Sequence, residues 1–451
     1  MDHLPLELLQ RILIHLDLNA LRNAALSCRI FFNAFKSAEE LITGELLLRQ
    51  IDYDVLPEAI LADRSRRLGA PSLSKMSEFV EALKTREPAP TKWRLTYALS
   101  LAQFHEKVTY LASQAAREAL EKQPCLLVAG KLPGPTCEEM HRFERALYRY
   151  ELFCNVIGRD FLGEDDLWDM FFEWLSTWES EQLACIHEHL VRVVSRPFNY
   201  LVEHDVTWGY LLVPYIHGHE SEYAQELLAG GVERVYYLSR ASDYTQRHAL
   251  LSRGEGMFDE PFGVVGFLSY GLEKGANPLL PPLIPLSEMD EDDKKIVCGK
   301  PFYDDPDPGP ASMWEWVYRD QEPGDLVANQ GMTSQRQWAF PFWNLSRLQA
   351  AGLLGNPEIP GPWSARDLEM DAYGTPERLA LLEESRSERT KIWTAGGKGF
   401  YSPGDLSKIR WTTKAELGHA QRLMMQPNSL EEAKRFLRAE SKTLSNQISP
   451  M

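Results

Sequence analysis

Residues 1–32 read MDHLPLELLQRILIHLDLNALRNAALSCRIFF. Within them Leu8, Leu9, Ile12, Leu13 and Leu16 recur at steps of three and four, which places them along one helical stripe. Pro5 stands at the helix start, where its missing N–H costs nothing. A second helix is expected after Asn19 as N-cap, with Leu21, Ala24, Ala25 and Cys28 on its apolar side. Ile30, Phe31, Phe32 and Phe35 continue the theme, and Ser37 with Glu40 reads as a capping box ahead of Leu41, Ile42, Leu46, Leu47 and Leu48. Three or four short helices this rich in Leu, Ile and Phe carry more apolar surface than so small a module can bury. The excess must dock, either on the rest of the chain or on another protein.

The order Leu4-Pro5-x-Glu7-Leu8-Leu9, Ile12-Leu13, Leu16-Asp17, Leu21 and Leu26-Ser27-Cys28-Arg29-x-Phe31 resembles the F-box, a small helical adaptor module. Two positions depart from that pattern: Asn19-Ala20 stands where an acidic residue is common before the second helix, and Leu26 where Val is usual. The resemblance implies that Leu4, Pro5, Leu8, Leu9, Ile12, Leu16, Leu21 and Leu26 face a Skp-type linker or form the module's core. Through that linker it implies a cullin scaffold and a RING subunit as partners, with a target protein held by the remainder of the chain. The excess apolar face is then a docking surface, its hot spots lying where large side chains become fully desolvated.

At 451 residues the chain is long enough for a small module plus a large body, and 44% hydrophobic with 11% aromatic residues is ordinary globular usage. The net charge of −17 repels phosphate backbones and anionic lipid, which argues against nucleic acid or a membrane surface as partner. Six cysteines without a CxxC pair fit free thiols in a reducing compartment, so cytoplasm or nucleus is expected. Asp2, Pro5, Glu7, Gln10 and Arg11 interrupt any secretory h-region, and no apolar run reaches the ~18 residues of a membrane span.

The expected fold class is all-α: an F-box module over 1–50, a connector over 51–92 punctuated by LPEAI, GAPSLS and REPAP, and an irregular helical body over 93–451. Helical patterns run from Trp93 to Gln123 and through EEMHRFERALYRYELFCNVIG, LWDMFFEWLSTW and ESEQLACIHEHLVRVV. The aromatics crowding them (Phe143, Tyr148, Tyr150, Phe153, Trp168, Phe171, Phe172, Trp174, Trp178) sit at helical spacing and read as core. The run Trp178-Glu179-Ser180-Glu181-Gln182-Leu183 and the block RQWAFPFWNLSRL (336–348) resemble elements of the all-helical bodies of F-box proteins from filamentous fungi, a likeness that implies no known activity. No WD, kelch or leucine-rich repeat is present. Proline and aspartate density over about 271–310 predicts an exposed excursion, and Ser429 with Glu432 a capping box near the C-terminus.

Catalytic signatures fail. The glycine a P-loop needs is Cys125 before Gly130-Lys131 and Ile392 before Gly397-Lys398, and neither a GxSxG elbow nor a kinase set is found. His187 and His189, two apart on a helix, point about 200° apart and cannot hold one ion together; His187 falls on the Leu183, Ile186, Leu190 face as a core histidine. The turn His217-Gly218-His219-Glu220 could bring two imidazoles and a carboxylate together, yet lacks HExxH or cysteine spacing. The expected function is therefore a non-catalytic adaptor without cofactor or metal. The alternatives are an F-box scaffold acting outside a ligase, and a helical metal-dependent enzyme using His217, His219 and Glu220.

Overall fold

The structure is a computed structural model, and it describes residues 4–68, 74–75, 78–79, 93–124, 133–157, 165–218, 221–252, 267–274, 276–278, 284–355 and 372–411. Helices dominate, as the apolar periodicities require: α1 (Leu6–Ile14), α2 (Leu18–Ser27), α3 (Arg29–Ser37), α4 (Glu39–Leu48), α5 (Leu56–Arg66), α6 (Leu95–Lys122), α7 (Cys137–Val156), α8 (Asp165–Phe172) and α9 (Thr177–His204) open the chain. Shorter helices and 3-10 turns follow, with one two-stranded antiparallel sheet of β1 (Gly397–Gly399) and β2 (Ile409–Trp411) pairing Lys398 with Arg410. The all-α expectation holds apart from that small sheet, which follows the helix Pro376–Thr394. Packing divides the chain into two compact units, Met1–Ser195 with His217–Ala241 and Asp259–Asp371, and Arg196–Ile216 with Ser242–Phe258 and Ala372–Met451.

In the first unit α7 is the central helix. Its start is a full capping box, Thr136 Oγ1 accepting from Glu139 N at 3.2 Å while Glu139 accepts from Thr136 N at 2.9 Å. The aromatics expected in the core are there: Phe143, Tyr148, Tyr150, Phe153, Trp168, Phe171, Phe172 and Trp174 are buried, and Trp178 is half-buried. Phe143 stacks on Phe342 with ring centroids 4.0 Å apart, which sets the aromatic block at 336–348 against α7.

The same helix turns three arginines inward, Arg142, Arg145 and Arg149, and each meets a carboxylate far away in sequence. Arg149 reaches Glu58 on α5 at 3.0 Å and Glu179 on α9 at 2.8 Å. Arg142 grips Asp305 with two bonds of 2.7 and 3.0 Å and also donates to the Phe342 carbonyl at 2.9 Å. Arg145 contacts Asp305 at 3.3 Å and lies over the Tyr303 ring. Two further buried pairs follow the pattern: Arg347 with Glu139 at 2.8 Å, and Arg336 with Glu181 at 3.2 Å and with Glu188. Each guanidinium leaves water only because a carboxylate and carbonyls replace it.

Several expectations are corrected by these contacts. The cap of α2 is Asp17, whose carboxylate accepts from Ala20 N at 2.7 Å, so the helix starts before Asn19; an anionic side chain there also answers the helix dipole. Ser37 does not cap α4, because α3 runs through it and its hydroxyl donates to the Ala34 carbonyl at 2.9 Å. In the segment over 271–310, Asp290 to Asp292 are exposed as expected, but Asp305 and Asp307 are half-buried and tied into the core. Like charge repels only where it is unpaired, and Arg142 and Arg145 pair Asp305. The Ser429–Glu432 box, residues 69–73 of GAPSLS, REPAP, His219 and Glu220 lie outside the described residues.

The second unit has its own small core of Val206, Ile392, Trp393, Tyr401 and Ile409, with Tyr210 stacked on Trp393 at 3.5 Å. Arg389, fully buried on the helix Pro376–Thr394, donates to the carbonyls of Val202 at 2.6 Å and Asp205 at 2.9 Å, satisfying the end of α9. Gly209 has no alternative, since a Cβ there would lie 2.7 Å from the Arg389 side chain.

Removing one member of a buried ion pair strands the other in low dielectric. Arg149→Leu should therefore cost about 3–5 kcal/mol in chemical denaturation. Asp305 supplies a pH test. Burial alone would raise its carboxyl, but Arg142, the Asp307 N–H and Arg145 outweigh that and hold it below the ordinary carboxylate range. Its stabilisation is thus present above about pH 4 and lost as pH falls through the lowered folded value. The melting-temperature gap between the unaltered chain and Asp305→Asn should be widest near neutrality and shrink in acid.

Candidate docking face of the N-terminal module

The sequence places Leu8, Leu9, Ile12 and Leu13 on one stripe, and the structure splits that stripe into two faces. Leu9 and Leu13, one turn apart, are buried at 4% and 0% exposure, while Leu8 and Ile12, also one turn apart, stand out at 46% and 43%. Neighbouring positions on a helix differ by about 100°, so a stripe two residues wide covers both an inner and an outer surface. Pro5 begins the helix with an extended ψ of 147°, and its carbonyl accepts from Leu8 N and Leu9 N. Leu4 and Leu6, on either side of that proline, are exposed too.

The other singled-out positions divide in the same way. Leu21 is fully buried with Leu18 and Ala25, Leu16 is half-buried, and Leu26 is the most exposed of the set. Phe32, Leu41 and Leu48 are exposed as well. Sequence reasoning had not assigned Leu6, Phe32, Leu41 or Leu48 to this surface; the only signal was the surplus of large apolar residues over what the module can enclose.

The inner side is tied to the body. Glu39, first residue of α4, accepts from Leu95 N at 3.3 Å, Arg94 at 3.1 Å and Lys36 at 2.8 Å. It thereby supplies the N-terminal cap that α6 lacks locally. Burial would raise its carboxyl, but Lys36, the Leu95 N–H and Arg94 together hold it below its usual value. Gly44 lets the Trp93 indole approach α4, since a Cβ there would lie 3.1 Å from the ring.

The residues weighed for chemistry take structural places. His187 pairs with the Gln225 side chain at 3.2 Å and His189 with Glu118 at 3.3 Å, so the two histidines do point apart. His217 is exposed, and its partners in the weighed turn, His219 and Glu220, are outside the described residues. Burial pushes the Cys154 and Cys185 thiols well up and Cys298 up to about 11, the opposite of an activated nucleophile.

Residues 1–43 match the family model of the F-box domain. The chain carries an F-box domain at its N-terminus, followed by a larger helical body, and F-box domains bind Skp-type linkers as adaptors of SCF-type ubiquitin ligases. No curated protein and no solved structure matches the chain. Among the described residues no helix is long and apolar enough to cross a membrane.

The two faces of α1 should separate in mutagenesis. Leu13→Ala, at a fully enclosed site, should lower stability by about 2–5 kcal/mol, whereas Ile12→Ala in the free chain should stay within about 0.5 kcal/mol, read by urea denaturation.

Proposed function

We propose that this chain is a non-catalytic substrate-recruiting subunit of a cullin-RING ubiquitin ligase. Its outer F-box face docks on the Skp-type linker and its helical body holds a target protein. The observation that carries this reading is the set of exposed apolar side chains around α1, Leu4 and Leu6 at its start and Leu8 and Ile12 one turn apart along it, on a helix whose Leu9 and Leu13 are enclosed. Nothing within the described module needs them outside, so a partner that desolvates them gains their transfer free energy, roughly 25 cal/mol per Å² covered. Pro5 and Leu26 belong to the same contact surface, Leu16 to its edge, and Leu9 and Leu21 hold its shape from within.

Such a subunit forms no bond itself. It raises the effective concentration of a target lysine near the charged ubiquitin carrier, so its output depends on holding two partners in a fixed relation. The ties from Glu39 to Leu95 and from Gly44 to Trp93 support that role, since they join the linker-facing module to the helix α6 of the body. They also argue for point substitutions over truncation as a test, because deleting the module would strip the cap from α6.

Leu8→Ala with Ile12→Ala in the full chain should weaken binding to the Skp-type linker by about 2–4 kcal/mol with little change in melting temperature. In cells the unaltered chain should co-purify with linker and cullin, and the turnover of at least one associated protein should depend on cullin neddylation. Linker capture without cullin would select a scaffold acting outside the ligase, and an undiminished linker affinity in the double variant would move the interface elsewhere.

A further inference from the structure

The turn that follows α4 and the first half of α7 bring three metal-ligand side chains together. Asp52 and Asp54 come from the turn, His141 from the helix, and one ligand atom from each lies within 4.8 Å of the others. The imidazole sits between the two carboxylates, its Nε2 3.9 Å from Asp52 and its Nδ1 4.0 Å from Asp54. Those distances are too long for hydrogen bonds. Nδ1 is buried and makes no hydrogen bond at all, a state that costs about 1–3 kcal/mol unless something pairs it.

The neighbouring contacts orient the set without filling it. Asp52 Oδ1 accepts from Asp54 N at 3.1 Å, a bond within the turn that carries both carboxylates. The Tyr303 hydroxyl hydrogen-bonds Asp54 from a separate segment. Asp52 and His141 also line a cleft of about 770 Å³ with His105, Thr109, Glu144 and Arg117, so one side of the cluster faces an opening that a ligand or water could occupy.

We infer that Asp52, Asp54 and His141 form a binding site for a single divalent cation of the zinc class, which pins the turn after the F-box module to helix α7 of the body. One imidazole with two carboxylates is the mixed nitrogen and oxygen set that suits zinc, whereas calcium and magnesium take all-oxygen sites. Tetrahedral bonds of about 2.0–2.2 Å would bring the ligand atoms to about 3.4 Å from one another. Closing from 4.8 Å to that spacing takes rotation of the two aspartates, whose side chains are 51% and 40% exposed, toward one ring nitrogen of His141. Three protein ligands leave one position of a tetrahedral site for water. The role is positional: the ion would stiffen the joint between the linker-facing module and the target-holding body.

The test uses the full chain, stripped with a chelator and dialysed, then titrated calorimetrically with zinc chloride and melted with and without zinc. One saturable zinc site is expected, with a rise in melting temperature that grows with zinc concentration. Asp52→Asn keeps the Oδ1 that accepts Asp54 N–H, and His141→Gln keeps a polar side chain of similar reach. Each should weaken zinc binding by at least about tenfold and lose the zinc-dependent rise, while the metal-free melting temperature stays put. Absence of a saturable site overturns the inference, as does zinc binding indifferent to both substitutions. Binding abolished by His217→Ala but not by His141→Gln would overturn it too, as would a preference for calcium over zinc. Linker affinity, measured separately, reports on the ligase reading, so the two ideas fail independently.

Discussion

The packing of the first unit depends on arginines that have been taken out of water. Arg142, Arg145 and Arg149 descend one face of α7 at steps of three and four, and none can be buried unless a carboxylate arrives in the right place. The carboxylates come from α5, from α9 and from the 305 turn, so each ion pair is also a statement about which segment lies where. Glu179 shows how fully such groups are used: besides Arg149 it accepts from Ser176 N, Phe302 N and Tyr303 N. A helix displaced by one turn would keep its apolar contacts approximately but strand a charge, at a cost of several kcal/mol. Hydrophobic burial supplies the drive to collapse, and these pairs penalise the wrong collapse.

The F-box module sits on that framework through a different device. Its outer surface is left apolar, and its inner surface is joined to α6 by a carboxylate that serves two helices at once, starting α4 and capping α6. The sharing has a mechanical meaning. An adaptor that works by proximity loses effective concentration if its two binding surfaces swing freely, and a cap shared between module and body removes one such freedom.

Much of this was legible before any coordinates. The N-terminal helices, the helical body and the aromatic core follow from spacing, because periodicity of large apolar residues is a local property of the chain, whereas the F-box itself was legible only through its resemblance to a family pattern. His187 as a core histidine followed from the same spacing. What sequence could not separate was the inner from the outer half of the α1 stripe, since Leu8 and Leu9 are chemically alike and only the packing of α1 on α2, α3 and α4 decides which is covered. The caps slipped for a related reason: Asn19 and Ser37 are good caps in isolation, yet Asp17 binds the free N–H groups first and Ser37 is held by Ala34. The acidic character of the 271–310 segment was read as repulsion because its partners, Arg142 and Arg145, lie more than a hundred residues earlier. The Asp52, Asp54 and His141 cluster was hidden in the same way, its members being separated by the whole of α5 and α6.

The exposed leucines raise a question of stability before assembly. A module of this size is marginal alone, and Leu4, Leu6, Leu8, Ile12, Leu26, Phe32, Leu41 and Leu48 all face outward, so its enclosed core is smaller than its composition suggests. The body makes up the difference, because α4 contributes Ile42, Leu46 and Leu47 to the interior and is itself fastened at Glu39 and Gly44. The module can therefore keep an apolar face open without unfolding, since its fold does not depend on covering that face. If this face is the docking surface proposed above, its partner meets a preformed surface, with little ordering entropy left to oppose binding.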